Sequence, residues 1–353
     1  MNSSFTYIET SEDLASVCKF LQTRRELGVD FECENNLHHY GAYIAIIQLS
    51  TGMHHYIVDV LKLKNIDPLL EVFTNDRIQK VFHDINFDLR ILYHQYKCRP
   101  KNVFDTQIAA QLLGFEKIGL GSLLEQFFGT KKKSKFQMAD WTKRPLKKEM
   151  LEYALGDTKY LLSLRDKLIA LLKEKNRLEW MVQECRSIDK LQFDYCEGGF
   201  LSVRGSKSLD DKKRAVLKRL FDARNELAKA ADRPAHYIMS AKRLLEVVSR
   251  PPKSLQDWQS IKGVHPIVRR RATICFTAVQ KARRERLSLP RKTRYRYSCQ
   301  EQEEIHRLSL LRDKRAEELG IAKSLIASRE QLQDLVCNKR CTLRPWQKKL
   351  LEQ

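Results

Sequence analysis

The chain has 353 residues, 42% of them apolar, which predicts two or three domains with cores of their own. Its nine cysteines show no CxxC pair or ordered spacing, which argues against a zinc knuckle or a disulfide framework and predicts reduced thiols. No apolar run approaches the roughly 18 residues that span a bilayer, and residues 1–5 lack a charged, apolar leader. We therefore expect a soluble protein, cytoplasmic or, in a eukaryote, nuclear, with no membrane partner.

The formal net charge of +21 is concentrated in the second half of the chain. Residues 1–190 hold 28 Lys and Arg against 25 Asp and Glu, or +3, whereas residues 191–353 hold the remaining 37 and 19, or +18. Clustered Lys and Arg gain affinity for a polyanion by releasing its counterions. The asymmetry favours a nucleic acid bound by the C-terminal half, although solvated helix faces would leave the same pattern.

Alternating strand and helix patterns predict a mixed α/β sheet in residues 1–190. The early strands are joined by short turns, so the sheet should begin antiparallel. In chain order the expected elements are a helix at 11–25, strands at 27–33, 43–49 and 56–59, a helix at 66–73, a strand at 80–82, a helix at 87–96, a strand at 103–104 and a helical stretch from 146 to about 189. Residues 114–145 are predicted to form a loop around one short helix.

The second half of the chain is predicted to be helical. Residues 191–210 are rich in Gly and Ser and mark a linker. Short helical patterns with Pro and Gly breaks then predict a small bundle over residues 211–290. A basic connector with interleaved tyrosines follows, and residues 300–353 resume the helical pattern as a further domain.

Acidic residues recur in settings that suggest a metal site. Asp30 and Glu32 lie one residue apart in a strand pattern, so both point to one face. Acidic side chains paired in this way are costly unless a cation lies between them. Asp88 enters a helix directly after an apolar strand, and Tyr153 and Asp157 share a helix face because they are four residues apart.

The four carboxylates would suit two Mg²⁺ or Mn²⁺ ions, because hard cations prefer oxygen ligands. Such a pair stabilises both the attacking and the leaving oxygen of a phosphodiester that is being cleaved. Tyr153 would orient the attacking water. Each residue alone is more often structural, so the hypothesis depends on the joint pattern.

These residues resemble the motifs of the ribonuclease D family, in the tyrosine-bearing branch of the DEDD 3′–5′ exonucleases. Asp30-Phe31-Glu32 is similar to the first motif, Asn86-Phe87-Asp88 with upstream His83 to the second, and Tyr153-Ala-Leu-Gly-Asp157 to the third, in the family's order. The resemblance covers about residues 5–185.

The resemblance implies a ribonuclease H-like exonuclease domain over residues 1–190, in which Asp30, Glu32, Asp88 and Asp157 bind metal and Tyr153 positions the water. It gives Asp105 a supporting or structural role behind the ligands. Cys33 stands where relatives often carry a larger apolar residue that packs on the terminal nucleotide. Further candidate substrate contacts beside the site are His83, Asn86, Lys135 and Trp141.

Residues 212–285 are similar to an HRDC domain, the helical module shared by ribonuclease D and RecQ helicases, and 311–328 resemble a weaker second copy. The similarity rests on Leu220–Ala228 and on Asp232–Met239. A helicase is disfavoured because the chain has no GxxxxGK[ST] phosphate loop. The candidate nucleic-acid contacts in the basic half are Arg269, Arg270, Arg271, Tyr295 and Tyr297.

The sequence therefore predicts a metal-dependent 3′–5′ exoribonuclease that releases 5′-monophosphates. Its expected partner is RNA, with tRNA precursors or other structured RNA as substrates, and no protein partner is indicated. A DNA exonuclease of the same superfamily would share every metal ligand, so matched RNA and DNA assays separate the two. A non-catalytic RNA-binding adaptor is the third possibility, and the presence of all five motif residues argues against it.

Overall fold

The computed structural model describes residues 5–131, 135–188, 198–289, 295–337 and 342–352. It divides the chain into two compact units. The first unit comprises Met1–Glu32, Ile44–Asp194 and Arg294–Gln353, and the second comprises Cys33–Tyr43 and Tyr195–Thr293. Residues 191–197 of the expected linker lie outside the described residues, and two short 3₁₀ helices, Phe200–Ser202 and Ser206–Ser208, follow them.

A six-stranded mixed sheet has the strand order β1-β4-β3-β2-β5-β6. β3 and β4 pair antiparallel, whereas β1 with β4, β2 with β5 and β5 with β6 pair parallel. The strands are β1 (Thr6–Ile8), β2 (Glu26–Asn35), β3 (Ala42–Ser50), β4 (His55–Asp59), β5 (Gln79–Phe82) and β6 (Val103–Asp105). The mixed α/β sheet expected from the sequence is confirmed.

Eight helices accompany the sheet in the described part of the first unit before residue 189. They are α1 (Ser11–Leu21), α2 (Asp67–Thr74), α3 (Asn86–Tyr96), α4 (Thr106–Leu113), α5 (Leu120–Phe128), α6 (Lys148–Thr158), α7 (Leu161–Glu174) and α8 (Leu178–Ile188). The helical stretch expected from 146 to about 189 consists, in the described residues, of the three helices α6, α7 and α8. The second break contains Asn176 at φ 55°, a left-handed conformation that an α-helix cannot continue through.

The core of the first unit is built on amphipathic helices that cover the sheet. In α7 the fully buried residues Leu161, Leu164, Leu168 and Leu172 recur at intervals of three and four, which forms one apolar stripe. They share a hydrophobic core with Val81 of β5 and with residues of α4. This packing fixes α4, the helix that follows β6.

The second unit is a helical bundle, as the sequence predicts. Its helices are α9 (Asp211–Ala231), α10 (Ala235–Ile238), α11 (Ala241–Ser249), α12 (Leu255–Ser260), α13 (Pro266–Arg270) and α14 (Ala272–Ala282). α9 packs against α10, α11 and α14 around the fully buried Trp258. Also within this unit, His39 Nδ1 lies 2.6 Å from Asp232 Oδ2, and this hydrogen bond holds the pKa of Asp232 below its ordinary value.

Four C-terminal helices belong to the first unit by their contacts. They are α15 (Cys299–Leu319), α16 (Lys323–Ile326), α17 (Arg329–Val336) and α18 (Pro345–Glu352). Trp346 stacks on Trp180 of α8 with ring centroids 4.7 Å apart, and its indole N–H donates to Glu184 at 2.9 Å. Arg177 donates to the Leu319 carbonyl at 2.6 Å. The sequence predicted a separate domain over residues 300–353. That this segment is a diverged HRDC domain stays a prediction.

Within the described ranges, we find no helix with the length and apolar character needed to cross a membrane.

We predict that Trp346→Ala destabilises the first unit by about 3–5 kcal/mol, because a side chain that is only 4% exposed leaves a cavity in the shared core. Urea unfolding followed by circular dichroism measures this loss. Leu310→Ala is the control, since Leu310 of α15 is 59% exposed and its loss should cost under about 0.5 kcal/mol. Equal, small effects of both substitutions would show that the C-terminal helices contribute nothing to this core.

Candidate active site

β2 presents two carboxylates on one face of the sheet. Leu27, Val29 and Phe31 are buried on the opposite face, and strand alternation places Asp30 and Glu32 together. Gly28 lies on the same face as the carboxylates. A Cβ at Gly28 would lie 3.1 Å from the Thr158 carbonyl oxygen, so the glycine lets the end of α6 approach β2 closely.

α6 brings a third carboxylate to this pair. Asp157, in the last turn of α6, is only 3% exposed. One carboxylate oxygen from each of Asp30, Glu32 and Asp157 lies within 4.8 Å of the others. Three carboxylates at this separation repel one another, which a divalent cation between them would offset.

Asp88 completes the acidic cluster from the first turn of α3, where it is 8% exposed. Burial raises its pKa well above the ordinary value, and the nearby charges of Asp30, Asp84 and Asp105 raise it further. Asp88 lies outside the group of three carboxylates within 4.8 Å of one another, but it is near enough for the charge of Asp30 to raise its pKa. The four oxygen-donor side chains thus fit hard divalent cations such as Mg²⁺ or Mn²⁺.

Asp105 holds the backbone that positions Asp88. Its carboxylate accepts the N–H groups of Asp84 at 3.1 Å, Ile85 at 3.0 Å and Gln107 at 2.7 Å. The first two bonds fix the turn before α3, and the third caps α4. These contacts suit the supporting role that the resemblance implies, which stays a prediction.

His83 lines the cleft in front of the carboxylates. Its Nδ1 lies 2.9 Å from the Thr106 hydroxyl oxygen, and that hydroxyl donates to the Phe82 carbonyl at 3.0 Å. Because the hydroxyl hydrogen is used in the second bond, Nδ1 of His83 carries the proton that makes the first. The ring is thereby oriented at the end of β5.

Tyr153 projects from α6 beside the carboxylates and is half-buried. Its ring contacts Phe136 and Trp141, with centroids at 5.8 Å and 6.1 Å. Burial raises the pKa of the Tyr153 phenol, and the charges of Glu32 and Asp30 raise it further. The phenol therefore keeps its proton at neutral pH.

The cleft that these groups share has a volume of about 450 Å³. Besides the residues already named, it is lined by Gln107, Ser122, Gln137 and residues 119–121 at the start of α5. The sequence reasoning did not assign these residues. Gln107 and Gln137 do lie close in sequence to residues that were predicted from the sequence, Asp105 for the first and Lys135 for the second.

Comparisons with known proteins follow the same division of the chain. A family model described as a 3′–5′ exonuclease matches residues 5–173, and an HRDC domain model matches residues 213–273. The ribonuclease D of Sphingobium indicum is 31% identical over 73% of this chain and 67% of its own length. This chain belongs to the ribonuclease D family.

Other relatives include the exosome complex exonuclease RRP6 of Saccharomyces cerevisiae, 30% identical over 79% of this chain and 40% of its own length. This chain spans only 30% to 47% of the length of four curated relatives, of which three are RRP6 or exosome proteins and one is a ribonuclease D. The solved catalytic core of RRP6 from Trypanosoma brucei is 28% identical with a TM-score of 0.70, covering 80% of each chain. Escherichia coli RNase D, 23% identical, shares the fold with a TM-score of 0.74 over 99% of this chain and 96% of its own.

One substrate contact predicted from the sequence needs correction. Trp141 is 2% exposed and packs on Tyr153, so it cannot offer a face to RNA. Cys33 is half-buried, and its contact with a terminal nucleotide stays a prediction.

The other predicted contacts are accessible, and their roles stay predictions. Asn86 opens α3 and is exposed, and Lys135 is exposed with Nζ 5.5 Å from the Phe136 ring centroid. In the second unit Arg269, Arg270 and Arg271 are all exposed. Tyr295, which is 50% exposed, and Tyr297 form an edge-to-face pair in the first unit.

A buried ion pair anchors the segment that leads into α6. Arg144 donates to both carboxylate oxygens of Asp59 on β4, from Nε at 2.5 Å and from Nη2 at 2.7 Å. It also donates to the Trp141 carbonyl at 2.6 Å, and the Tyr7 hydroxyl donates to Asp59. Burial alone would raise the pKa of Asp59, but the bonds from Arg144 and Tyr7 outweigh it and lower that pKa below 3.8.

We predict that Asp59→Asn costs about 3 kcal/mol of unfolding free energy at neutral pH, because it leaves the Arg144 charge without its buried partner. The lowered pKa of Asp59 means that its contribution is present above pH 3.8 and is lost as pH falls below it. The difference between wild type and variant should therefore shrink between about pH 5 and pH 2.

Denaturant unfolding at a series of pH values measures this difference. The exposed Asp76→Asn is the control and should change the unfolding free energy little. A wild-type advantage over Asp59→Asn that persists undiminished at pH 2 would contradict the role given to the ion pair.

Proposed function

We propose that this protein is a divalent-metal-dependent 3′–5′ exoribonuclease that hydrolyses RNA 3′ ends and releases 5′-monophosphates. The observation that carries the proposal is the acidic cluster, in which Asp30, Glu32 and Asp157 bring carboxylate oxygens within 4.8 Å of one another. Its membership of the ribonuclease D family supports the same activity.

Asp30, Glu32, Asp88 and Asp157 would hold two Mg²⁺ or Mn²⁺ ions. Such ions, when bound, stabilise the attacking and leaving oxygens of a phosphodiester. Tyr153 keeps its phenolic proton at neutral pH, so it would orient the attacking water by hydrogen bonding and would not remove a proton from it. His83, which lines the cleft, would contact the substrate.

RNA is the proposed substrate, with tRNA precursors or other structured RNA as the finer expectation. Escherichia coli RNase D is described as an exoribonuclease involved in structured RNA processing. The exposed Arg269, Arg270 and Arg271 would bind backbone phosphates, which makes RNA affinity salt-dependent. We place this activity in the cytoplasm, or in the nucleus of a eukaryotic source.

We predict that wild-type protein with Mg²⁺ releases labelled mononucleotide from 3′-labelled RNA, and that Asp30→Asn slows this by about 10³-fold. A loss of about 4 kcal/mol of transition-state stabilisation corresponds to that factor. Chelation with EDTA should abolish the activity. Matched single-stranded DNA is assayed in parallel, with RNA expected to be the faster substrate.

Glu152→Gln is the matched control, because Glu152 lies next to Tyr153 in α6 with its side chain 57% exposed. It should cleave RNA at the wild-type rate. If Asp30→Asn degrades RNA as fast as wild type, the proposed activity is wrong, and faster cleavage of DNA would reassign the substrate.

A further inference from the structure

A short loop beside α6 places two aromatic rings against Tyr153. We call residues 135–141 the aromatic loop. Within it, Phe136 meets the Tyr153 ring at an interplanar angle of 69°, and Trp141 meets it at 36°. Centroid separations of 5.8 Å and 6.1 Å lie in the range where aromatic pairs attract one another in edge-to-face or tilted geometry.

The aromatic loop is closed by its own hydrogen bonds. The Phe136 carbonyl accepts the Trp141 indole N–H at 3.2 Å and the Ala139 backbone N–H at 3.0 Å. The indole bond joins the two residues whose rings contact Tyr153. The pair therefore forms one unit, and its spacing does not depend on the tyrosine.

The loop is also fixed to the sheet. Trp141 is 2% exposed and shares a core with Ile46 of β3, Ile57 of β4 and Ala154 of α6. Its carbonyl accepts from Arg144, whose guanidinium is held by the buried Asp59. A continuous set of contacts thus leads from β4 through Arg144 and Trp141 to the Tyr153 ring.

Helix α6 fixes the Cβ of Tyr153. Rotation about the Cα–Cβ bond would move the hydroxyl by several ångströms relative to the carboxylates, and the two packed rings oppose that rotation. A hydroxyl that orients water must be held much more closely, because a displacement of about 1 Å can cost about 10²-fold in rate.

We propose that Phe136 and Trp141 are positioning residues, which hold the Tyr153 ring so that its hydroxyl faces the carboxylate cluster. The inference rests on the proposed role of Tyr153 in orienting the attacking water. It replaces the substrate contact that the sequence suggested for Trp141. It also implies that the Arg144–Asp59 ion pair affects catalysis indirectly, because Arg144 holds Trp141 in place.

The test is a double-mutant cycle between Trp141→Leu and Tyr153→Phe, with kcat and KM measured on a short single-stranded RNA. In the Tyr153 background, Trp141→Leu should lower kcat by about 10- to 100-fold and change KM by less than about 2-fold. In the Tyr153→Phe background it should change kcat by less than about 2-fold, since the hydroxyl it positions is already gone. Trp141→Phe, which keeps a ring, should restore most of the lost rate.

Mn²⁺ affinity, measured by calorimetry without RNA, provides a readout apart from activity. Trp141→Leu should leave it within about 2-fold of wild type, because Trp141 packs on Tyr153 and is not among the residues that line the cleft. Trp180→Leu is the control for general loss of stability: Trp180 stacks on Trp346 in the same unit, and its variant should keep the wild-type kcat at a temperature where it is folded. If Trp141→Leu does not fold, Phe136→Leu, at a partly exposed position, replaces it in the same cycle.

The outcomes separate two claims: that Tyr153 orients the attacking water, and that the aromatic loop positions Tyr153. A wild-type kcat for Tyr153→Phe would remove the tyrosine from the mechanism and overturn the proposed role on which the inference rests. A slow Tyr153→Phe, with an equal further loss from Trp141→Leu in both backgrounds, would leave that role standing and overturn positioning by the loop. Unchanged kcat in Trp141→Leu, or a fall in Mn²⁺ affinity, would overturn it as well.

Discussion

Mutual repulsion among carboxylates is the constraint around which the first unit is built. Asp30, Glu32 and Asp157 bring oxygens within 4.8 Å of one another, and Asp88 is buried beside them with its pKa raised. Like charges in a place with little water destabilise a fold unless a cation is bound. The surrounding structure must therefore hold these groups against a force that separates them.

Separate contacts position Asp157, Asp88 and the ring of Tyr153. Gly28 lets the end of α6 lie against β2, which brings Asp157 to the strand pair. Asp105 fixes the turn before α3 with backbone hydrogen bonds, and so sets the position of Asp88. The Asp59–Arg144 pair fixes the chain entering α6 and, through Trp141, the ring of Tyr153. Strand, turn and loop thus converge on one site from positions far apart in the sequence.

The sequence predicted which acidic side chains come together better than it predicted the contacts that hold them in place. The period of two in β2 and the four-residue spacing in α6 are local patterns, so they identified Asp30, Glu32 and Asp157 without a structure. The packing partners of Trp141 could not be derived from the sequence, because its burial depends on residues of the distant strands β3 and β4. The C-terminal helices show the same limit, since amphipathic spacing predicts a buried face but does not say that α8 covers it.

Thermal unfolding of wild type and Asp157→Asn, with and without Mg²⁺ at constant ionic strength, tests the central claim most directly. Without metal, the variant should melt at a higher temperature than wild type, because one repelling charge has been removed. Mg²⁺ should then raise the melting temperature of wild type and have much less effect on the variant, since a ligand stabilises only the state that binds it. A metal-free variant less stable than wild type, with an undiminished response to Mg²⁺, would contradict the account.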